Sequence, residues 1–198
     1  MKQFYLVLTL LVSCTVLSQN KTKDELKSYE GFFNFHYSES NDKLYLDVAD
    51  TDKEFLYVRS LAAGVGSNDL GLDRGKLGRT AVVKFVKAGN KLLLIQPNQK
   101  FRAITDNSEE RKSVQEAFAK SVLFGFPIVS SDNGVHRIDL TKFLIRDAFG
   151  VANVLKRSKQ GNYKLNKESS ALYLDRTKAF PKNVEFESIL TFSGDPTG

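Results

Sequence analysis

Two short segments near the start of the chain constrain it most. Phe33, Phe35 and Tyr37 alternate with Asn34 and His36, and Leu44, Leu46 and Val48 alternate with Tyr45 and Asp47. Successive side chains leave a strand on opposite faces, so a period of two gives each segment one apolar and one polar face. The polar stretch Ser38 to Asp42 between them reads as a hairpin turn. A chain that begins this way must bring up enough bulk to cover the apolar face. With 15 Phe and 7 Tyr in 198 residues it has that bulk, although it carries a single Met and no Trp. The length suits one domain, or one domain with a small attached subdomain.

The same pattern continues. Phe55 to Val58 reads as the third strand of a small meander. Gly64 to Gly78 has five glycines and no apolar period, and reads as an ordered loop or linker. Val82 to Val86 and Lys91 to Ile95 flank Ala88-Gly89-Asn90, a strong hairpin signal. Phe101 to Ile104 has the composition of a further short strand. Asn107 and Glu110 form a capping box ahead of Val114, Ala117 and Phe118, which predicts an amphipathic helix over 108–119. Ser121 to Val129 is β-prone, and Ser131-Asp132-Asn133-Gly134 turns it into Val135 to Asp139. A second helix is expected from Asp139 or Thr141, carrying Phe143, Leu144 and Ala148 on one face. Ala171 to Leu174 and Val184 to Phe192 read as the last strands, with Phe186, Ser188, Leu190 and Phe192 on one face. The expected class is α+β, mostly antiparallel β-sheet with two short helices. The expected divisions are a signal peptide at 1–18, a small leading β-meander domain at 24–61, and a Gly-rich linker at 62–78. A main β-rich domain at 79–193 and a truncated connector at 194–198 follow.

The signal assignment comes from Met1-Lys2-Gln3 followed by an apolar run from Phe4 to Leu17 that turns abruptly polar at Ser18-Gln19-Asn20. Such a run is too short to span roughly 30 Å of hydrocarbon and has the charged start and apolar centre of a secretory signal. The chain is therefore expected to be exported to the periplasm, the outer membrane or the extracellular space. Cleavage near Ser18 or Gln19 is one outcome. The other is lipidation at Cys14, prompted by Leu11-Val12-Ser13-Cys14, and a membrane association is expected only in that case. Cys14 is the single cysteine, so a chain cut after Ser18 has no disulfide, thiolate nucleophile or Cys-ligated zinc. Loss of Lys2 takes the formal charge from +6 to +5. Cations scattered among acids give no basic tract, and no nucleic-acid partner is expected.

The chemical motifs are mostly missing. A catalytic zinc site takes about three protein ligands, and the 2 histidines, His36 and His136, lie far apart without a His-Glu-x-x-His. His36 falls on the outward phase of its strand and His136 shares a phase with Ile138, so each reads first as an ordinary surface or half-buried histidine. Gly75-Lys76 precedes Leu77, where a phosphate loop needs Ser or Thr, and Gly64-Val65-Gly66 is followed by Asp69, where a dinucleotide fingerprint needs glycine. Asp50-Thr51-Asp52-Lys53-Glu54 alternates like a calcium loop, but Phe55 and Leu61 replace the required Gly and Glu. No Gly-x-Ser-x-Gly elbow is present, and Glu109-Glu110 suits the first turn of a helix. A hydrolase built from scattered carboxylates stays open at this point. No catalytic, cofactor-binding or metal-ligating residue is assigned.

Several stretches taken in order carry a resemblance. They are Gly71 to Gly78, Asn90 to Asn98, Ser121 to Ile128, Leu144 to Ala152, Ala171 to Pro181, and Asn183 to Glu187 with Leu190 to Phe192. Together they resemble the N-terminal region of large exported zinc-dependent metalloproteases of Gram-negative bacteria, two domains of unknown function ahead of a metzincin-like catalytic domain. The resemblance implies zinc in that catalytic domain, no cofactor in this chain, and the metalloprotease domain as a partner in cis or in trans. It also implies either a truncated gene product or a region that acts alone, and the expected role is a non-catalytic accessory region that packs on or positions the protease domain. A free-standing envelope module binding a polymer or lipid is the competing expectation. Within the matching stretches, Gly125 and Pro127 read as a bulge or strand edge, Arg146-Asp147 as an ion pair, and Arg176-Thr177-Lys178 as a loop packed by Phe180.

Overall fold

The computed structural model describes residues 25–66 and 68–196. The expected signal peptide at 1–18, and Cys14 with it, lie outside the described residues. In chain order the elements are β1 (Leu26–Tyr29), β2 (Asn34–Ser38), β3 (Lys43–Val48), β4 (Glu54–Tyr57), β5 (Ala81–Ala88) and β6 (Lys91–Gln96). Then come α1 (Ser108–Ala117), β7 (Ser121–Asp132), β8 (Val135–Asp139), α2 (Thr141–Leu144), α3 (Val151–Arg157) and β9 (Gly161–Leu172). The last are β10 (Lys178–Ala179), β11 (Val184–Glu185) and β12 (Ser188–Pro196).

Eight strands form one antiparallel sheet in the order β1-β2-β3-β8-β7-β6-β5-β4. The sheet curls until its ends approach. The Phe33 ring, just before β2, lies 5.2 Å from Phe55 of β4 and 6.0 Å from Phe85 of β5, and the Asp52 amide donates to the Phe85 carbonyl at 2.7 Å. The concave side holds the core: Phe35, Leu44, Leu46 and Val48 from one half, Val83, Phe85, Leu92 and Leu94 from the other, with Phe126 and Ile138 between them. Edge-to-face aromatic contacts such as Phe85–Phe126 (5.9 Å) and Phe35–Phe186 (5.1 Å) fill it. The β10–β11 hairpin closes one side of the curl, where the Phe32 amide donates to the Phe180 carbonyl at 2.7 Å. A Cβ on Gly31 would sit 2.7 Å from that oxygen, so only glycine allows this approach. Phe143 of α2 closes another side against Phe124 and Phe126. β9 and β12 pair separately as a long ribbon, with α3 packed on β9.

β7 explains how one chain makes so curved a sheet. Its first half pairs with β6 as far as Pro127, and its second half pairs with β8 from Ile128. Register shifts lie on both sides of that handover, and Pro127, which has no N–H to give to a ladder, sits at the junction. The turn from β7 to β8 uses Asn133 (φ 47°) and Gly134 (φ 83°), the two positive angles of a tight hairpin.

The fold is therefore mostly β, and α+β overstates its helices. Among the described residues three helices form instead of two, because the expected second one breaks. α2 stops after Leu144, Gly150 takes φ 68°, and Asp147 caps a new start, accepting from the Val151 and Ala152 amides at 2.7 and 3.1 Å. Asp147 is thus a helix cap, not the ion-pair partner of Arg146. Arg146 instead stacks over the Phe143 ring at 4.2 Å. β4 does not extend a meander: it pairs with β5, at the far end of the sheet from β1. Phe101 to Ile104 forms no strand, since Asn98 accepts from the Lys100 and Phe101 amides at 3.0 and 3.3 Å and folds the segment into a turn. The expected strand from 184 to 192 is interrupted where Phe186 turns into the core between β11 and β12.

Candidate functional site

Polar residues on the convex face of β1, β2, β3 and β8 converge on one cluster. Strand alternation, with Phe35, Leu46 and Ile138 pointing inward, sends His36, Asp47 and Arg137 outward. Cross-strand register then sets Ser28 opposite His36 and Asp47 opposite Arg137. Ser28 Oγ lies 2.8 Å from His36 Nδ1, and His36 Nε2 lies 2.9 Å from Asp47 Oδ2. Arg137 donates from Nε to Asp47 Oδ1 and from Nη2 to Asp47 Oδ2, each at 2.7 Å, and Nη2 is 2.8 Å from His36 Nε2.

A guanidinium only donates, a carboxylate only accepts and a hydroxyl does either. His36 Nε2 faces both the Asp47 acceptor and the Arg137 donor, and Ser28 Oγ serves Nδ1 in either role, so both neutral tautomers keep a partner on each ring nitrogen. Burial alone would push the Asp47 carboxyl up, but the hydrogen bonds from Arg137 and His36, with their charges, hold it below the usual carboxylate range. The same hydrogen bond holds the Arg137 pKa above its ordinary value.

The order Ser–His–carboxylate is that of a nucleophile, its base and an orienting acid. The guanidinium changes its chemistry. Both Asp47 oxygens are taken by a bidentate Arg137, so the carboxylate has little left with which to stabilise an imidazolium, and Nη2 puts a fixed positive charge against the same ring nitrogen. The cluster is a four-strand clip.

The second histidine stays outside the cluster. His136 lies beside Arg137 in sequence, yet it pairs with Val48 and takes the opposite face of the sheet from His36, its Nδ1 2.7 Å from Ser131 Oγ. Among the described residues no group of three or more His, Cys, Asp or Glu could hold a metal ion. Two of the three acids of the calcium-like turn are engaged by lysines, Asp50 by Lys53 at 3.4 Å and Asp52 by Lys84 at 2.8 Å. In the glycine loop, Lys76 donates to the Gly71 carbonyl and a bridge joins Ser60 to Leu77, so the loop is pinned to itself. Thr177 is buried, its hydroxyl donating to the Tyr173 carbonyl at 3.0 Å and accepting from the Glu187 amide at 3.2 Å. Sequence reasoning placed His36 on the outward face but named none of its partners. Asp47 was within reach, because the hairpin register puts it on the same face; Arg137, 90 residues further on, was not.

The convex face of β4 to β7 is of another kind. Leu56 (64% exposed) pairs with Val82, Val86 with Leu93, and Ile95, itself buried, with Val122 (56% exposed), an apolar stripe on the side away from the main core cluster that the Glu54–Lys84 pair interrupts. Beside it stands the lobe 97–120. Its helix α1 buries no residue. Phe101 and Phe118 stack at 4.0 Å, both partly exposed, and Ile104 is 99% exposed.

No curated protein and no solved structure matches the chain. Residues 19–64 match the family described as Domain of unknown function (DUF5118). The sheet runs through both matched segments, since β3 pairs with β8 and β4 with β5. With residues 75–198 matching its model, the chain belongs to the family described as Domain of unknown function (DUF5117).

Proposed function

We propose that this chain is a non-catalytic, exported, β-rich accessory module that packs against a zinc-dependent metalloprotease domain, in cis or in trans, and positions it. The observation that carries the reading is the apolar convex face of β4 to β7 with its protruding Phe101–Phe118 pair, a surface suited to a protein partner. Two further points support it. The Ser28–His36–Asp47 constellation is locked by Arg137, and the ordered stretches from Gly71 to Phe192 resemble the region that precedes such proteases. The test mixes the purified chain with a separately expressed protease domain of that type. Co-elution as a stoichiometric complex on gel filtration is expected, with no casein cleavage by the chain alone. Chelator-sensitive cleavage by the chain alone, or stoichiometric zinc in it, overturns the reading.

The same exposed face also suits a free-standing envelope module for a polymer or lipid. Co-sedimentation of the chain with vesicles or cell-wall polymer, together with failure to co-elute with the protease domain, would select that alternative.

A further inference from the structure

A cleft of about 310 Å³ lies where the convex face of β5 to β7 meets the lobe, lined by Arg79, Val82, Gln96 to Lys100, Ala119 and Ser121. That volume is at the small end of ligand sites. No acid lines it. Its cations come from the two ends of an unusually biased stretch: residues 79–100 hold Arg79, Lys84, Lys87, Lys91 and Lys100 and not one Asp or Glu. β5 and β6 run out and back as a hairpin, so those ends return to the same place. Lys84 of that stretch meets Asp52, and elsewhere on the sheet Arg137 meets Asp47 and Lys43 meets Asp139. Here, among the described residues, Arg79 and Lys100 make no ion pair. Lys100 instead hangs over the Phe101 ring at 5.3 Å.

The rim is built in advance. The Asn98 side chain accepts from the Lys100 and Phe101 amides and donates to the Phe101 carbonyl at 3.1 Å, fixing the loop that carries Gln99 and Lys100. The residues immediately beyond the lining, Phe101 after Lys100 and Phe118 before Ala119, are the stacked and partly exposed pair. A cleft rich in donors and cations that opens beside an aromatic platform is complementary to a carboxylate with an apolar neighbour. Aromatic and arginine side chains are also the anchors that protein interfaces favour. A free inorganic anion would use the cleft and leave the rings bare, so the platform selects a polypeptide.

We infer that this cleft receives an Asp or Glu side chain of an acidic segment of the partner protein, with that segment's adjacent apolar residue resting on Phe101 and Phe118. The inference rests on the reading of the chain as a docking module and supplies the chemistry of the partner.

The test is a chemical-shift titration of the isotope-labelled full chain. The probes are a blocked hexapeptide with two aspartates beside a phenylalanine, the same peptide with asparagines, and inorganic phosphate. The acidic peptide is expected to shift the amides of Arg79, Gln96, Lys100, Phe101 and Phe118. The asparagine peptide and the double variant Arg79→Ala with Lys100→Ala should each bind about tenfold more weakly, and added salt should weaken the acidic peptide most. Unchanged resonances from the core strands would show that the variant folds. Equal binding of the two peptides, a response confined to phosphate, or shifts confined to β1–β3 and β8 would each overturn the inference. The protease-domain mixture separates this failure from the broader one. Co-elution that survives the double variant removes this cleft and leaves the docking module standing, whereas absence of co-elution alongside peptide binding does the reverse.

Discussion

The convex faces of the two halves of the sheet have opposite chemistry over one shared core. On β1, β2, β3 and β8 the outward residues are Ser28, His36, Asp47 and Arg137, which meet one another within hydrogen-bonding distance. On β4 to β7 the outward residues Leu56, Val82, Val86, Leu93 and Val122 outnumber the charged pair Glu54 and Lys84, and the cations beside them at Arg79 and Lys100 have no acid in their cleft. The first face is satisfied within the chain and the second is not. Partly buried charges must be paired wherever they fall, whereas an exposed apolar surface with unopposed cations gains nothing from the chain that carries it. Chemistry-bearing residue types therefore gather on the half with the weaker case for an external ligand.

The shared core gives the largest effect and the baseline for the comparison. Phe126→Ala empties a fully buried position between the two halves and should cost about 3–5 kcal/mol in chemical denaturation. A loss confined to the resonances of one half would show that the halves fold apart. Next comes the clip. Asp47→Ala leaves the Arg137 guanidinium half-buried without its partner and should cost about 2–3 kcal/mol; a change below about 0.5 kcal/mol would make the cluster ornamental.

Acidification probes the same pair. The folded Asp47 carboxyl titrates below its unfolded value of about 3.9. Its contribution is therefore present above that value and is lost as pH falls through the lower, folded one. Stability of the unmodified chain should fall more steeply below about pH 4 than that of Asp47→Asn, and parallel curves would contradict the assignment. Smaller still is Ser28→Ala, which removes one neutral hydrogen bond at an exposed edge strand and should cost about 0.5–1 kcal/mol. Smallest is Leu56→Ser on the other half, expected within about 0.5 kcal/mol of zero because that side chain is 64% exposed. A large loss there would mean that the apolar face serves the fold itself.

How much of this was legible depends on how far each pattern reaches. The hairpin of β2 and β3, the Gly89-Asn90 turn, the Asn133-Gly134 turn and the Asn107 cap were read correctly, because each depends on residues a few positions apart. The misreadings have non-local or competing causes. Phe101 to Ile104 has strand composition, but the Asn98 side chain bonds the backbone first. Glu54 to Tyr57 follows the first hairpin closely in sequence, yet its partner is β5, and nothing in its alternation distinguishes one neighbour from another. In the clip, His36 and Asp47 share an outward face for local reasons, while the contact with Arg137 closes a loop of 90 residues.

What the sequence determined by itself was phase and punctuation: which side chains face inward along each strand, where the tight turns fall, and the want of a zinc-binding motif. These follow from backbone geometry and residue chemistry over a few positions. Only the tertiary structure decided which strands became neighbours, that the sheet curls until Phe33 meets Phe55, that Arg137 neutralises Asp47, and that Arg79 and Lys100 share a cleft. Such choices come from burying one common core at the cost of closing long loops, a free-energy balance summed over the whole chain and written in no single segment of it.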